Sequence, residues 1–321
     1  MKRLFLCAAA LLLALPAAFD VRAQPYPAKP IRIVVPFPAG SATDTVARIL
    51  GQSVSASVGQ PVVVDNKAGA DGAIAGAEVV KSAPDGYTLF LATNSPMAVA
   101  VAMKKQPAYD PLADFTPITD VGRYTFFLYI NAATPIRTFK DLVAYAKANP
   151  GKLNYATGNT TGIVSFAQMN ALAGIEMTHV PYKGEPQAVT DIIGGRVQLL
   201  WATPTTGLSH VKDGKLRALA TNLKARSSLL PDVPTMAEVG IPGYSVVSWA
   251  ALYAPAKLPR GLQMRLHKEF TDAMKRPDVI AQMDKQAFLM TGSTPEELGA
   301  FTRAQLEAYR SILKSVGIQP E

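Results

Sequence analysis

The chain has 321 residues, a formal net charge of +8, one cysteine and a hydrophobic content of 49%. One cysteine excludes a disulfide framework and a thiolate metal cluster. Basic residues are scattered, as in KDGKLRALATNLKAR, without the dense run or interleaved aromatics that nucleic acid requires, so the charge licenses only a mild bias toward small anions.

Lys2 and Arg3 precede an apolar run from Leu4 to Leu15, and Val21-Arg22-Ala23 offers small residues flanking a cut after Ala23. Residues 1–23 therefore read as a cleavable secretory signal, too short for a permanent anchor, which delivers the remainder to the periplasm. Cys7 lies inside it and lacks the context of a lipoprotein signal. The rest of the chain is long enough for two ordinary domains, each with its own core.

Ile31, Ile33, Val34 and Val35 predict a buried strand ended by Pro36 and Pro38. Ser41 and Asp44 then have the spacing of a capping box, and Val46, Ile49, Leu50 and Val54 follow at helical spacing. Such a turn aims free backbone N–H groups and the positive end of a helix dipole past the strand's carboxyl end, where an anion can sit. An ordinary capped connection explains the same pattern, and this stretch alone does not separate the two. GADGAIAG, residues 69–76, has glycines at 69, 72 and 76 that miss the dinucleotide fingerprint, and it reads as a flexible turn into a helix.

The same strand-to-loop-to-helix sequence recurs as YTLFLAT into NSPMA, LNYAT into GNTTG and VQLLWA into TPTTG. This alternation predicts an α/β fold with mostly parallel strands, in which ligands bind beyond the strands' carboxyl ends. VGRYTFFLYINAATP and GYSVVSWAALYAPAKLP predict two crossing strands. They divide the chain into a discontinuous lobe of residues 24–123 plus 247–321 and a second lobe of residues 124–246. A ligand cleft that closes on binding is expected between them. Toward the C-terminus, Leu262, Leu266, Phe270 and Met274 predict a helix, and Ser293 or Thr294 caps another.

No Gly-x-Ser-x-Gly elbow or Walker loop occurs, and His179, His210 and His267 are far apart without metal-ligand spacing. No catalytic residue, metal site or cofactor is expected. The polar loops suit recognition instead. Candidate ligand-binding residues in the first loop are Phe37, Pro38, Ala39, Gly40, Ser41 and Asp44. Asp44 reads as a cap, or as an acceptor if the ligand carries an ammonium group. Asn94 and Ser95 follow in the next loop, then Thr157, Gly158, Asn159, Thr160 and Thr161. Tyr182 in HVPYKG and Ala202 and Thr203 in WATPTTG complete the set, with Trp201 assigned to the core.

YPAKPIRIVVPFPAGSATDTVARIL, GQPVVVDNKAGADGAIAGAEVVKSAPDGYTLFLAT, LNYATGNTTG, HVPYKG, GKLRALA, LPDVPTMAEVGIPGY and GSTPEEL together resemble the extracytoplasmic solute receptors of the tripartite tricarboxylate transporter family, the Bug receptors. The resemblance implies a type II periplasmic binding-protein fold and a monomer without cofactor that closes over a small mono- or dicarboxylate, aromatic ones included. It implies delivery of that solute to membrane transporter subunits, or a report to a sensor ectodomain. It further implies that the loops Phe37 to Asp44 and Thr157 to Gly162 clasp a carboxyl group through backbone N–H groups, hydroxyls and waters. Two positions depart from the family pattern. Ser41 stands where a second glycine is common, and Ala202 stands where an Asp is frequent, which leads us to expect a plain carboxylate over an amino-bearing one. A secreted hydrolase using the same cleft is the alternative, disfavoured by the missing nucleophile and base.

Overall fold

The computed structural model describes residues 26–321, and the predicted signal lies outside them. Eleven strands form two sheets. The first is built from β1 (Ile31–Val35), β2 (Val62–Asn66), β3 (Thr88–Thr93), β4 (Phe115–Tyr124), β10 (Ser248–Pro255) and β11 (Phe288–Met290), in the order β11-β4-β10-β3-β1-β2. The second comprises β5 (Phe127–Asn131), β6 (Asn154–Thr157), β7 (Thr178–Pro181), β8 (Leu199–Ala202) and β9 (Leu216–Thr221), in the order β7-β6-β8-β5-β9. The chain enters the second sheet between β4 and β5 and returns between β9 and β10, so the fold is α/β with two lobes.

Both sheets have a parallel trio, β2-β1-β3 and β7-β6-β8, extended by antiparallel neighbours. Each is buried on both faces, which is why the strands read as continuous apolar runs. In β1, Ile31, Ile33 and Val35 enter one core cluster while Val34 enters another. Likewise in β5, Leu128 and Ile130 face one cluster, and Phe127 and Tyr129 the opposite one. The cluster holding Ile33 also contains Tyr124, Phe126 and Trp201, so buried apolar contact is continuous between the lobes. Trp201 stacks on Tyr244 with ring centroids 5.5 Å apart, in the core as expected.

Among the described residues nine helices have at least eight residues, and four of them begin at a side chain that caps their third amide. The nine are α1 (Ala42–Val58, capped by Ser41), α2 (Ala73–Val80), α3 (Phe139–Ala148), α4 (Thr160–Ala173, capped by Asn159), α5 (Glu185–Ile193), α6 (Pro204–Lys212), α7 (Arg260–Met274), α8 (Pro277–Asp284) and α9 (Pro295–Ser315). Of the two caps expected for α9, Thr294 is used, in a full capping box with Glu297. Ser293 instead accepts from the Asp120 amide.

Three features escaped the sequence reading. Edge strand β11 is only three residues long. Pro117 lies inside β4, tolerated beside a register shift against β10. After β3 the chain enters a π-helical turn, Ser95–Val99, that continues through Ala102.

GADGAIAG forms a tight turn leading into α2, as expected, but its last glycine has a packing role. A Cβ on Gly76 would lie 2.4 Å from Cε1 of Tyr109, whose hydroxyl donates to the Pro96 carbonyl at 2.9 Å. The ring is buried and held at its far end, so it cannot step aside. Gly76→Ala is expected to lower the unfolding free energy by about 1–3 kcal/mol through overpacking, measured by denaturant titration. An unchanged midpoint would show that the ring yields freely.

Candidate functional site

The first wall is the loop after β1. Ser41 Oγ accepts from the Asp44 amide at 3.3 Å, the expected half of a capping box. The reciprocal half is absent. The Ser41 amide is taken by the Pro38 carbonyl at 3.2 Å, so the Asp44 carboxylate accepts from the Gly40 amide at 3.0 Å instead. Asp44 also pairs with Arg48 one turn on, at 3.0 Å to Nε and 2.9 Å to the guanidinium NH2. Burial pushes its carboxyl up, but hydrogen bonds from Arg48, Gly40 and Asn66 outweigh burial and hold it below the usual carboxylate range. Asp44 is therefore turned into its own loop and does not line the cavity.

That division of bonds leaves the helix's first two amides free. Those of Ala42 and Thr43 have no partner among the described residues, and both residues line one small cavity. The opposite wall repeats the device. Asn159 caps α4 by accepting from the Gly162 amide at 2.9 Å, and Gly158, Asn159 and Thr161 line the same cavity. Gly158 is needed for close approach, since a Cβ there would fall 2.6 Å from the Glu185 amide nitrogen.

The walls also bond to each other. Ser95 Oγ and Thr160 Oγ1 are 2.5 Å apart, and Asn94 Nδ2 donates to Thr161 Oγ1 at 2.7 Å. Asn94 is further held by Tyr309, Ser248 and the Trp249 amide, which occupies its side chain fully. Pro38 packs on Gly184 across the cleft. The cavity between these contacts is about 30 Å³, on a scale where one water needs about 10–15 Å³.

Of the residues expected at the site, Phe37, Ser41, Gly158, Asn159, Thr161 and Thr203 line the cavity. Asn94, Ser95 and Thr160 form the lobe-to-lobe contact beside it. Pro38, Ala39 and Gly40 shape the loop behind, and Thr157 bonds to His179 at 2.6 Å. Two expectations need correction. Tyr182 donates its hydroxyl to Asp191 at 2.8 Å on the flank of the second lobe, because Asp191 lies two turns along the helix that follows. Ala202 is packed in the core of that lobe.

A sharper correction concerns charge. The Ala at 202 suggests a cleft without an acid, yet Glu185 supplies one from α5. Its Oε2 accepts from the Thr203 amide at 3.0 Å, the Thr203 hydroxyl at 2.8 Å and the Thr206 hydroxyl at 2.9 Å. Burial raises its carboxyl above the usual range, only partly offset by those three donors. Thr43, Thr93, Tyr124, Phe126 and Ser248 complete the floor and were also missed. Glu185 was within reach of sequence reasoning, since MTHVPYKGEPQ is a fifth strand-to-loop-to-helix segment.

Two α/β lobes, linked by two chain crossings and closing on a small cavity at two helix N-termini, define a solute-binding protein of the periplasmic type. The chain belongs to the tripartite tricarboxylate transporter receptor family: residues 46–318 match the family described as "Tripartite tricarboxylate transporter family receptor". Protein BugT of Bordetella pertussis is 35% identical over 306 residues, covering 94% of this chain and 93% of that one. The solved periplasmic binding protein BugD is 30% identical with a TM-score of 0.88, covering 92% of this chain and all of that one. The R. palustris protein Rpa4515, solved with adipate, has the same identity, TM-score and coverage. These relatives are binding proteins rather than enzymes.

Asp44 titrates below the unfolded carboxylate, so its contribution is present above the unfolded pKa and is lost as pH falls through the native one. Asp44→Asn is expected to cost about 0.5–2 kcal/mol at pH 7, with the gap to wild type closing below about pH 4 in denaturant titrations. A gap that persists at pH 2 would assign the effect to packing. Gly184 has extended backbone that any residue adopts, but a Cβ there would lie 2.7 Å from Cδ of Pro38 in the other lobe. Gly184→Ala is expected to preserve stability while enlarging the radius of gyration in small-angle scattering. An unchanged radius would mean that the lobes absorb the extra methyl without parting.

Proposed function

We propose that this protein is a periplasmic receptor that captures a small carboxylate between its lobes and delivers it to a membrane transporter of the tripartite tricarboxylate type. One observation carries the reading: the free amides of Ala42 and Thr43 lie on the same cavity as the start of α4, which belongs to the other lobe. Helix N-termini favour anions through their unpaired N–H groups and the helix dipole. No lining residue is Lys, Arg or His, so backbone and hydroxyl donors must do this work.

A carboxylate seated there takes the Ala42 and Thr43 amides on one side and the Asn159 and Thr161 region on the other. Both contacts exist only when the lobes are together, so the solute favours that arrangement by its differential affinity for it. The segments between β4 and β5 and between β9 and β10 serve as the hinge. Adipate bound to the R. palustris relative supports a carboxylate as the solute class.

The test is thermal unfolding of the protein, refolded to strip carried-over solute, against a panel of mono-, di- and tricarboxylates, amino acids and aromatic acids. A true solute at 100 times its dissociation constant adds about 2.7 kcal/mol, which is expected to raise the midpoint by several degrees for a chain of this size. Sugars and amines are included as controls, and shifts from these with none from any carboxylate would sink the reading.

A further inference from the structure

Glu185 is the only residue lining the cavity, among those described, that carries a formal charge of either sign. It is buried, and all three of its donors reach the same oxygen, Oε2. Its other oxygen, Oε1, has no hydrogen-bond partner among the described residues, and no Lys, Arg or His lies within ion-pair distance. Its charge acts on Tyr124 and Tyr129. Both are buried phenols pushed far above their ordinary range, and so neutral.

The cavity thus has two kinds of wall. The starts of α1 and α4 offer N–H donors suited to an anion, while Glu185 offers an acceptor that the protein itself leaves half-used. A solute carrying only negative charge meets repulsion from this carboxylate at close range in a poorly screened space. A solute with a protonated nitrogen near its carboxylate satisfies both walls and neutralises the buried acid.

We propose that Glu185 is a cation subsite, so that the cleft selects a short carboxylate that also carries an ammonium group over its deaminated analogue. This rests on the carboxylate-capture reading above and specifies its solute. The acid enters from α5 but is fastened to the amide of Thr203, so it sits beside the strand end where Ala202 provides none.

The test titrates matched probes into wild type and Glu185→Gln: glycine against acetate, β-alanine against propionate, and aspartate against succinate. In at least one pair the amino member is expected to bind wild type at least about tenfold more tightly, the scale of one charge-assisted hydrogen bond. Glu185→Gln keeps an acceptor for Thr203 and Thr206, and is expected to erase that difference by weakening the amino member and tightening the deaminated one, whose repulsion is removed. The wild-type comparison stands by itself should the variant fold poorly. Deaminated members binding wild type as tightly as their partners would overturn the inference and leave carboxylate capture intact. Tighter binding of those members as pH falls would then identify Glu185 as a proton donor to the solute. Failure of every probe of both kinds would overturn this inference, and carboxylate capture would then be decided by the broader panel above.

Discussion

Every α-helix begins with amides that its own carbonyls cannot reach. In this protein two such beginnings, from different lobes, share one cavity, and the surrounding structure follows from how their amides are shared out. Ser41 takes the third amide of α1, Asn159 takes the third of α4, and Ser95 takes the first of α4 from across the cleft. What remains free, among the described residues, are the amides of Ala42, Thr43 and Thr161, at a place that only a ligand or water can serve. Asp44 belongs to the same allocation. By turning back to Gly40 and Arg48 it stiffens the loop and keeps its charge off the position an anion needs. The sheets supply the placement, since both parallel trios end at the cleft and throw their helices away from it.

How much of this was legible in the sequence depends on how local the determining interaction is. β1, its proline stop and the Ser41 cap are consecutive in the chain, and the α/β alternation follows from runs such as IRIVV and YTLFLAT with turn residues between them. The floor of the cavity is different. Tyr124 reaches Thr43 at 2.9 Å over 81 residues, and Ser248 reaches Asn94 over 154. No spacing rule connects such pairs. Tyr182 shows the opposite failure: a strand-end aromatic looks available for a cleft until Asp191, nine residues on, claims its hydroxyl.

The acid of the cleft is the instructive case. Reading one position against a family pattern, Ala202 marks a missing carboxylate. The pocket is a volume, however, and a carboxylate can enter it from any wall. Glu185 does so from a neighbouring helix and is fastened to the residue immediately after Ala202. Absence at a position is thus weaker information than absence from a site. The loops PAGSATD, NSPMA, GNTTG and TPTTG each follow a strand with small polar residues. KGEPQ follows the same grammar with a charged residue in the slot.

The bonds that join the lobes, Ser95 to Thr160 and Asn94 to Thr161, are made between protein groups alone. Parting the lobes must break them whatever solute lies between. On the proposed reading, the time a solute stays inside then depends on these protein bonds as well as on the solute's own contacts with both walls. A membrane partner that pulls on either lobe at these four side chains would hasten unloading without touching the solute.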